Sequence, residues 1–359
     1  MMVAELFLLC VCCIFGVHHS FLQLSPRVLS HSYLSLSTSK SITNLPEFYY
    51  TWNNFKIRYT TTSDGDSSNP PIVLIHGFGA SLDYYREQIP VFADSGYDVY
   101  AIDLLGFGKS DKIVDPLGKG YSAELWAQLV LDFVDDIIMS SASSGVMRPR
   151  PVLVGNSIGS RIALQAALQA SEKIRGLLLF NAAAGINNKF VITDELTPLS
   201  LKLFAVPLFG LLDILLKNQG FSTWFFERTK KPENIRATLQ SVYVNKERCD
   251  DALVKSISFP AEDPNSLKVF VEILTNDAGA TPDAFIDRIK MPIKLIWGDD
   301  DPFTPLSGPY GLFFQELARS REDVSLSIIN AGHCPHDDNH VAANAAALEW
   351  LEGTMKTVF

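Results

Sequence analysis

The sequence Pro151-Val-Leu-Val-Gly-Asn-Ser-Ile-Gly-Ser160 decides how this chain folds. Its apolar run, residues 152–154, is typical of a buried strand, and a helical spacing of apolar residues begins at Ile158. The Gly-x-Ser-x-Gly motif between them predicts a tight strand-to-helix turn that presents Ser157 as a nucleophile. Small flanking residues allow the strained backbone of such a turn, and the N-terminus of the following helix favours negative charge there.

Short apolar strands alternate with helices on both sides of this motif. The predicted strands are 55–59, 72–75, 97–102, 152–154, 175–180, 293–296 and 324–329, and the main predicted helices are 84–94, 122–138, 312–320 and 342–351. Ser122 is the expected N-cap of the second helix. Strands of uninterrupted Val, Ile and Leu favour an α/β fold, with a mostly parallel sheet covered by helices on both faces.

The alternation stops between about residues 184 and 291. Helix-like apolar segments at 199–216 and 221–226 are separated there by prolines. We therefore interpret 187–288 as a helical cap, inserted into a core formed by 47–186 and 289–359.

Composition and charge restrict the classes of partner. The chain has 359 residues, of which 47% are hydrophobic and 19% charged, a size that suits one α/β domain with an insertion. Of the net charge of −10, residues 1–46 contribute +1 (Arg27 and Lys40 against Glu5), which leaves −11 for the rest. An acidic body without basic clusters argues against nucleic acid as a partner, and gives no electrostatic reason to bind an anionic membrane.

The first 46 residues resemble a targeting presequence. The apolar run Leu6–Val17 is too short to span a bilayer but suits the core of a signal peptide, within a signal-like region 1–20. The serine-rich, acid-poor region 21–46 is typical of a transit peptide. In tandem, with Phe21 after the signal-like part, the two regions resemble the bipartite presequences of algae whose plastids lie inside an additional membrane. We expect a plastid (chloroplast) location, with secretion as the alternative.

A serine nucleophile needs a base that takes its proton and an acid that orients the base. Beyond the N-terminal region the histidines are His76, His333, His336 and His340. His333 follows the last predicted strand, and catalytic groups of a parallel sheet meet at the carboxyl ends of its strands. We expect His333 to be the base, with His336 as its rival, and His76 to stabilise its own loop.

The orienting acid is expected among the three consecutive aspartates 299–301, which follow the predicted strand 293–296. We assign Asp301, which precedes Pro302. The other two aspartates are expected to be solvated or to cap local structure.

The oxyanion of such a reaction needs N–H donors. We expect one from Ile158, directly after the nucleophile, and the other from Phe78 in His76-Gly-Phe-Gly79. The segment Gly106-Phe-Gly-Lys-Ser110 lacks the spacing of a phosphate loop, so no nucleotide site is expected. The His and Cys residues show no metal-ligand spacing, and no metal or cofactor is expected.

The post-strand loops carry a set of motifs: His76-Gly-Phe-Gly, Asp103-Leu-Leu-Gly-Phe-Gly-Lys-Ser-Asp111, Gly155-Asn-Ser-Ile-Gly, Phe180-Asn-Ala-Ala-Ala-Gly-Ile-Asn-Asn188, Trp297-Gly-x-x-Asp-Pro and Gly332-His-Cys-Pro-His-Asp337. These motifs resemble the α/β-hydrolase superfamily over about residues 50–353, and the chain order Ser157, Asp301, His333 is the order found in that superfamily. Within it the chain is similar to the plant and algal pheophytinase and chlorophyll dephytylase group.

This resemblance implies an α/β-hydrolase fold and a serine hydrolase that cleaves the phytyl ester of chlorophyll or pheophytin, a small apolar ester. The phytyl chain needs a long apolar trough. Aromatic residues of the cap could line that trough or could pack the cap against the sheet: Phe204, Phe209, Trp224, Phe225 and Phe226. No obligate protein partner is evident, and peripheral contact with the thylakoid membrane stays open.

Two other functions fit the same residues. The triad could hydrolyse a lipid, another ester or a C–C bond, or the chain could be a ligand receptor that keeps a hydrolase fold without turnover. Ser157 disfavours dehalogenase and epoxide-hydrolase chemistry, because those relatives use an aspartate at this position.

Overall fold

The computed structural model of the protein describes residues 46–65, 68–140 and 148–355. The predicted presequence, residues 1–46, lies outside these ranges except for Pro46. Its role in targeting therefore stays a prediction.

The described chain forms one eight-stranded sheet in the order β1-β2-β4-β3-β5-β6-β7-β8. Strand β2 pairs antiparallel with β1 and β4, and the remaining neighbours pair in parallel, which confirms the predicted mostly parallel α/β sheet. Strand β1, at one edge, was not predicted. The strands are β1 Phe48–Trp52, β2 Phe55–Thr61, β3 Pro71–Ile75, β4 Asp98–Ile102, β5 Val152–Asn156, β6 Gly176–Phe180, β7 Ile293–Gly298 and β8 Val324–Ile329.

Helices follow most of the strands. The helix predicted at 84–94 divides into a 3₁₀ turn, Leu82–Tyr85, and α1, while Ser122 caps α2 as predicted, its Oγ accepting the Leu125 N–H at 3.1 Å. The helices are α1 Gln88–Asp94, α2 Ala123–Phe133 (continued by π-helical turns, Val134–Met139), α3 Ile158–Gln169, α4 Phe190–Thr193, α5 Leu199–Lys217, α6 Gln219–Thr229, α7 Pro232–Val242, α8 Asp251–Ser258, α9 Ser266–Thr275, α10 Pro309–Ser320, α11 Pro335–Asp338 and α12 His340–Met355.

Helices cover both faces of the sheet because its central strands are apolar on both sides. All five residues of β3 are buried. Val73 and Ile75 pack on the side of α2, α3 and α10, whereas Ile72 and Leu74 pack on the side of α1 and α12. This alternation is the side-chain period of a strand, and it fixes the register of the sheet.

Six helices, α4–α9, lie between β6 and β7, within the segment that we interpret as the cap. Helices α7 and α8 pack on the turn that follows β3, where Leu239 and Val254 join Tyr84 in one apolar cluster. The helices therefore lie at the carboxyl edge of the parallel strands, where the predicted site residues also lie.

Candidate active site

Ser157 lies in the turn between β5 and α3, with φ 54° and ψ −121°. A non-glycine residue rarely adopts this conformation, so surrounding contacts must hold it. A Cβ added at Gly155 would lie 2.4 Å from the carbonyl carbon of Gly159, and one added at Gly159 would lie 2.1 Å from the Ile75 carbonyl oxygen. Close contact of backbone segments therefore restricts both flanking positions to glycine.

His333 lies in the loop after β8, with its Nε2 3.0 Å from Ser157 Oγ. Its backbone N–H donates to the Val242 carbonyl of α7 at 2.9 Å. Its backbone carbonyl accepts from Asn156 Nδ2 at 3.2 Å. One contact from the cap and one from the turn before Ser157 thus hold the imidazole at the serine hydroxyl.

Asp301, in the loop after β7, is buried, and its two carboxylate oxygens lie 3.0 and 2.9 Å from His333 Nδ1. Burial raises the pKa of Asp301, but the adjacent His333 and the hydrogen bonds to the carboxylate outweigh it and hold this pKa below its ordinary value. An ionised Asp301 favours the tautomer with the proton on Nδ1, which leaves Nε2 free to accept the proton of Ser157.

Two side chains that orient Asp301 were missed in the sequence. Asn181 Nδ2 and the Thr304 hydroxyl both donate to Asp301 Oδ2, and Asn181 Oδ1 accepts the Gly298 N–H at 2.9 Å. Asn181 directly follows β6, so its position after a strand was a signal that could have identified it. Thr304 offered no comparable signal.

The rival base, His336, lies away from these groups. It is buried among the rings of Tyr84, Tyr85 and Phe180, with centroids 5.7, 5.0 and 5.3 Å from its own. Neither ring nitrogen has a hydrogen-bond partner among the described residues. Burial lowers the pKa of His336 to about 4. The structure therefore brings His333, and not His336, to Ser157 and Asp301.

The loop after β3 passes beside Ser157. A Cβ added at Gly77 would lie 3.4 Å from the Ser157 Cβ, and Phe78 lines the same cavity as Ser157. Ile158 is the first residue of α3. His76 fixes this loop, because its Nε2 accepts the Leu104 N–H at 3.0 Å and its Nδ1 lies 2.8 Å from the Gly77 carbonyl. The residues predicted to supply the oxyanion donors thus lie on two segments next to Ser157.

The other two aspartates are solvated or bind the backbone, and the glycine-rich segment surrounds a buried carboxylate. Asp299 accepts the Ala331 N–H at 3.2 Å, and Asp300 is exposed. The segment 106–110 folds around Asp103, whose carboxylate accepts the Lys109 N–H at 2.8 Å. In the described ranges, no group of three or more His, Cys, Asp or Glu side chains could hold a metal ion.

A cavity of about 460 Å³ opens onto Ser157 and His333. The core contributes Phe78 and Phe107 to its wall. The cap contributes mainly apolar side chains, among them Phe190, Phe226, Ile235, Leu239, Phe270 and Ile273. A volume of this size is ordinary for a small-molecule site, within the range of about 300–1,000 Å³.

The suggestion that five cap aromatics line a trough or pack the cap fits three of them and is wrong for the other two. Only Phe226 of the five lines the cavity, while Phe209 and Phe225 are buried. Phe204 is 78% exposed and Trp224 48% exposed, so these two neither line the cavity nor pack the cap against the sheet. Burial of an aromatic ring depends on which side of its helix meets the core, and composition does not show this.

Comparison with known proteins gives the chain a family. A sequence model of the Alpha/beta hydrolase family matches residues 72–347. A 2-hydroxy-6-oxononadienedioate/2-hydroxy-6-oxononatrienedioate hydrolase of Paraburkholderia phymatum is 28% identical over 258 residues, 70% of this chain and 76% of that protein. The chloroplastic pheophytinase of Arabidopsis thaliana is 25% identical over 324 residues, 83% of this chain and 64% of that protein.

Among solved structures, the enol-lactonase of Burkholderia xenovorans superposes with a TM-score of 0.60 at 16% identity, over 85% of this chain and 99% of that one. At this identity the likeness is one of fold. The family match covers most of the chain, and the chain therefore belongs to the α/β-hydrolase family and is a hydrolase. The predicted fold class and family are confirmed, and a pheophytinase is among the relatives.

Proposed function

We propose that this hydrolase cleaves a carboxylic ester with a long apolar alcohol, namely the phytyl ester of chlorophyll or pheophytin. The observation that carries the proposal is the hydrogen-bonded chain Ser157–His333–Asp301 at the end of a largely apolar cavity. The similarity to a chloroplastic pheophytinase over 83% of this chain supports the choice of substrate.

In this mechanism Ser157 Oγ attacks the ester carbonyl while His333 Nε2 takes its proton, and Asp301 stabilises the imidazolium that forms. The backbone N–H groups of Phe78 and Ile158 stabilise the oxyanion. His333 then gives the proton to the alcohol oxygen, and phytol leaves. A water molecule, deprotonated by His333, hydrolyses the acyl-enzyme and releases the pigment carboxylate with the free serine.

The cap wall of the cavity suits the alcohol rather than the pigment ring. Side chains such as Leu239, Phe270 and Ile273 offer no hydrogen bonds, so they favour a hydrocarbon chain. We place the phytyl chain among them and the ring at the mouth of the cavity.

Pigment hydrolysis tests the proposal. The protein and its Ser157→Ala variant are incubated in parallel with chlorophyll, pheophytin and a long-chain p-nitrophenyl ester, and phytol and p-nitrophenol are measured. Phytol release by the wild type alone supports the proposed substrate. Turnover of the synthetic ester alone would remove the pigment assignment and keep the chemistry, and no turnover of any ester would favour a ligand receptor.

A second candidate is hydrolysis of another ester or of a C–C bond in a substrate that carries carboxylates. Lys112 and Lys230 line the cavity, and a relative is named for a dioate. Both ammonium groups already have partners, however: Lys112 Nζ donates to the Gly108 carbonyl at 2.7 Å, and Lys230 pairs with Glu227 and Glu262 at 2.9 Å each. The apolar ester is therefore the first candidate.

A further inference from the structure

Helix α5 of the cap is apolar on its exposed side. Among the described residues it is the one helix long and apolar enough to cross a membrane, yet only 17% of that apolar window is buried. Six large apolar side chains on it are half exposed or more: Leu199, Leu203, Phe204, Val206, Leu211 and Ile214. Their spacing of three, four and seven residues places them along one side of the helix, which we call the apolar face of α5.

The opposite side of α5 is apolar as well, and it is the side that packs. Ala205, Phe209 and Leu216 are buried, and the helix contacts α6 and α9. Burial in the core of the cap therefore does not explain the apolar face. A helix that is apolar all round is ordinarily enclosed, and monomeric soluble proteins rarely expose apolar patches of more than a few hundred Å².

The segment that spans α5, α6 and the link to α7 carries a charge opposite in sign to that of the whole chain. Residues 199–231 contain five basic and two acidic residues, 5 − 2 = +3, whereas the whole chain carries −10. Both acidic side chains are neutralised by ion pairs, Asp213 with Lys189 at 2.7 Å and Glu227 with Lys230 at 2.9 Å.

Three further cations of this segment have no ion pair with any residue that the structure describes. They are Lys217, the last residue of α5, Arg228 in the last turn of α6, and Lys231, which follows α6. Cations next to an apolar surface complement anionic headgroups above a hydrocarbon layer. The net negative charge of the whole chain does not show this local excess of positive charge.

An exposed tryptophan extends the apolar surface onto α6. Trp224 and Glu227 are three residues apart and both are exposed, so they share the exposed side of that helix. Tryptophan is enriched at membrane–water interfaces, where its ring meets both apolar and polar surroundings. The buried Phe226, on the same helix, lines the cavity. Helix α6 thus lies between the exposed apolar surface and the candidate active site.

We propose that the apolar face of α5, together with Trp224, docks the cap on the surface of a lipid bilayer that contains anionic lipids. Helix α5 lies in the interface rather than across the membrane, because its buried side chains hold it against α6 and α9. This proposal does not depend on the substrate. If the proposed ester hydrolysis also holds, docking brings the cavity next to the layer in which a phytyl ester dissolves.

Vesicle co-sedimentation tests the docking. The full-length protein is mixed with vesicles of phosphatidylcholine, with and without phosphatidylglycerol, and is compared with the triple variant Leu203→Glu/Phe204→Glu/Ile214→Glu. The matched control is Leu312→Glu/Ile328→Glu/Val341→Glu, which changes three half-exposed apolar residues of the core and adds the same charge. We expect at least tenfold weaker binding for the α5 variant, near wild-type binding for the control, and weaker wild-type binding without phosphatidylglycerol.

A photo-crosslinking measurement keeps the test independent of residues 1–46 and of the folding of the triple variant. Phe204→p-benzoylphenylalanine and Leu312→p-benzoylphenylalanine are irradiated with the same vesicles, and adducts are identified by mass spectrometry. Lipid adducts at position 204 and not at 312 support docking. The proposal is overturned if position 204 gives no lipid adduct, or if it crosslinks to a second copy of the chain instead. Neither assay uses the hydrolase reaction, so a failure here is distinguishable from a failure of the proposed function.

Discussion

The core and the cap of this hydrolase place their apolar residues in opposite ways. In the core every residue of β3, β5 and β6 is buried, and glycines allow backbone contacts that a single methyl group would break. In the cap, α5 is apolar on both its packed and its open sides. Internal packing thus fixes the core, where Ser157, Asp301 and His333 lie, whereas packing within the protein leaves the outer side of α5 uncovered.

The largest effect is expected when the proposed base, His333, is removed from the core. With His333→Ala, Nε2 no longer accepts the proton of Ser157, and we expect kcat/KM to fall by about 10⁴-fold or more. Steady-state hydrolysis of a p-nitrophenyl ester measures the loss.

The control for this change is His336→Phe. His336 already lies among aromatic rings, so a phenyl ring fits its surroundings, and we expect kcat/KM within a few-fold of the wild type. A loss for His336→Phe as large as that for His333→Ala would mean that the two histidines act together.

A second test compares one glycine of each region. Gly159→Ala places a methyl group 2.1 Å from the Ile75 carbonyl oxygen, and we expect it to lower the free energy of unfolding by about 3 kcal/mol or more. Gly210→Ala, in α5, meets no atom within 4 Å, and we expect a gain of about 0.5–1 kcal/mol from helix propensity. Urea unfolding measures both. Equal losses would show that the cap is packed as tightly as the core.

The core could be predicted from the sequence because its requirements are local. A buried parallel strand is recognised as a run of Val, Ile and Leu. Ser157, Asp301 and His333 each follow a predicted strand, at the edge of the sheet where catalytic groups meet. The structure adds to each residue its hydrogen-bond partners. Thr304 escaped prediction because its donation to Asp301 depends on the path of a loop and not on a motif.

The cap could be predicted only as a set of helices. Their apolar segments were visible, but which side of each helix faces inward depends on the crossing of α5 with α6 and α9. Phe226 lines the cavity while Trp224, two residues earlier, is exposed, a difference that hydropathy does not contain. For this reason the substrate was predicted from the resemblance alone.

A third test measures how strongly the interior around His336 disfavours a charged imidazolium. The pKa of His336 is ordinarily 6.5, and burial lowers it to about 4 in the folded protein, although Asp337 favours its charge while Arg86 and Arg248 oppose it. Between these values the unfolded chain binds a proton that the folded protein does not, so stability falls as the pH falls. From pH 7 to pH 5 this group removes roughly 2 kcal/mol.

Urea unfolding of the wild type and of His336→Phe at both pH values isolates this contribution, because the other titrating groups are common to the two proteins. We expect the variant to lose about 2 kcal/mol less than the wild type on acidification. Equal losses would show that water or a rearrangement accommodates the imidazolium.

The smallest effect is expected from a pair of Thr→Val substitutions, one on each wall of the cavity. Thr304→Val removes a hydroxyl donor from Asp301 in the core, and Thr238→Val removes one from the Asn234 carbonyl in α7. Because Asp301 keeps the Phe303 N–H at 2.8 Å, we expect Thr304→Val to lower kcat only about tenfold, with KM little changed.

The lost donor also raises the pKa of Asp301, and Thr304→Ser is expected to restore kcat because it keeps the hydroxyl. Thr238→Val acts on the cap wall and is expected to change KM alone. If both valine variants lowered kcat alike, the separation between a core that performs the chemistry and a cap that selects the substrate would be wrong. A merely structural role of Thr304 would lower stability and leave kcat unchanged.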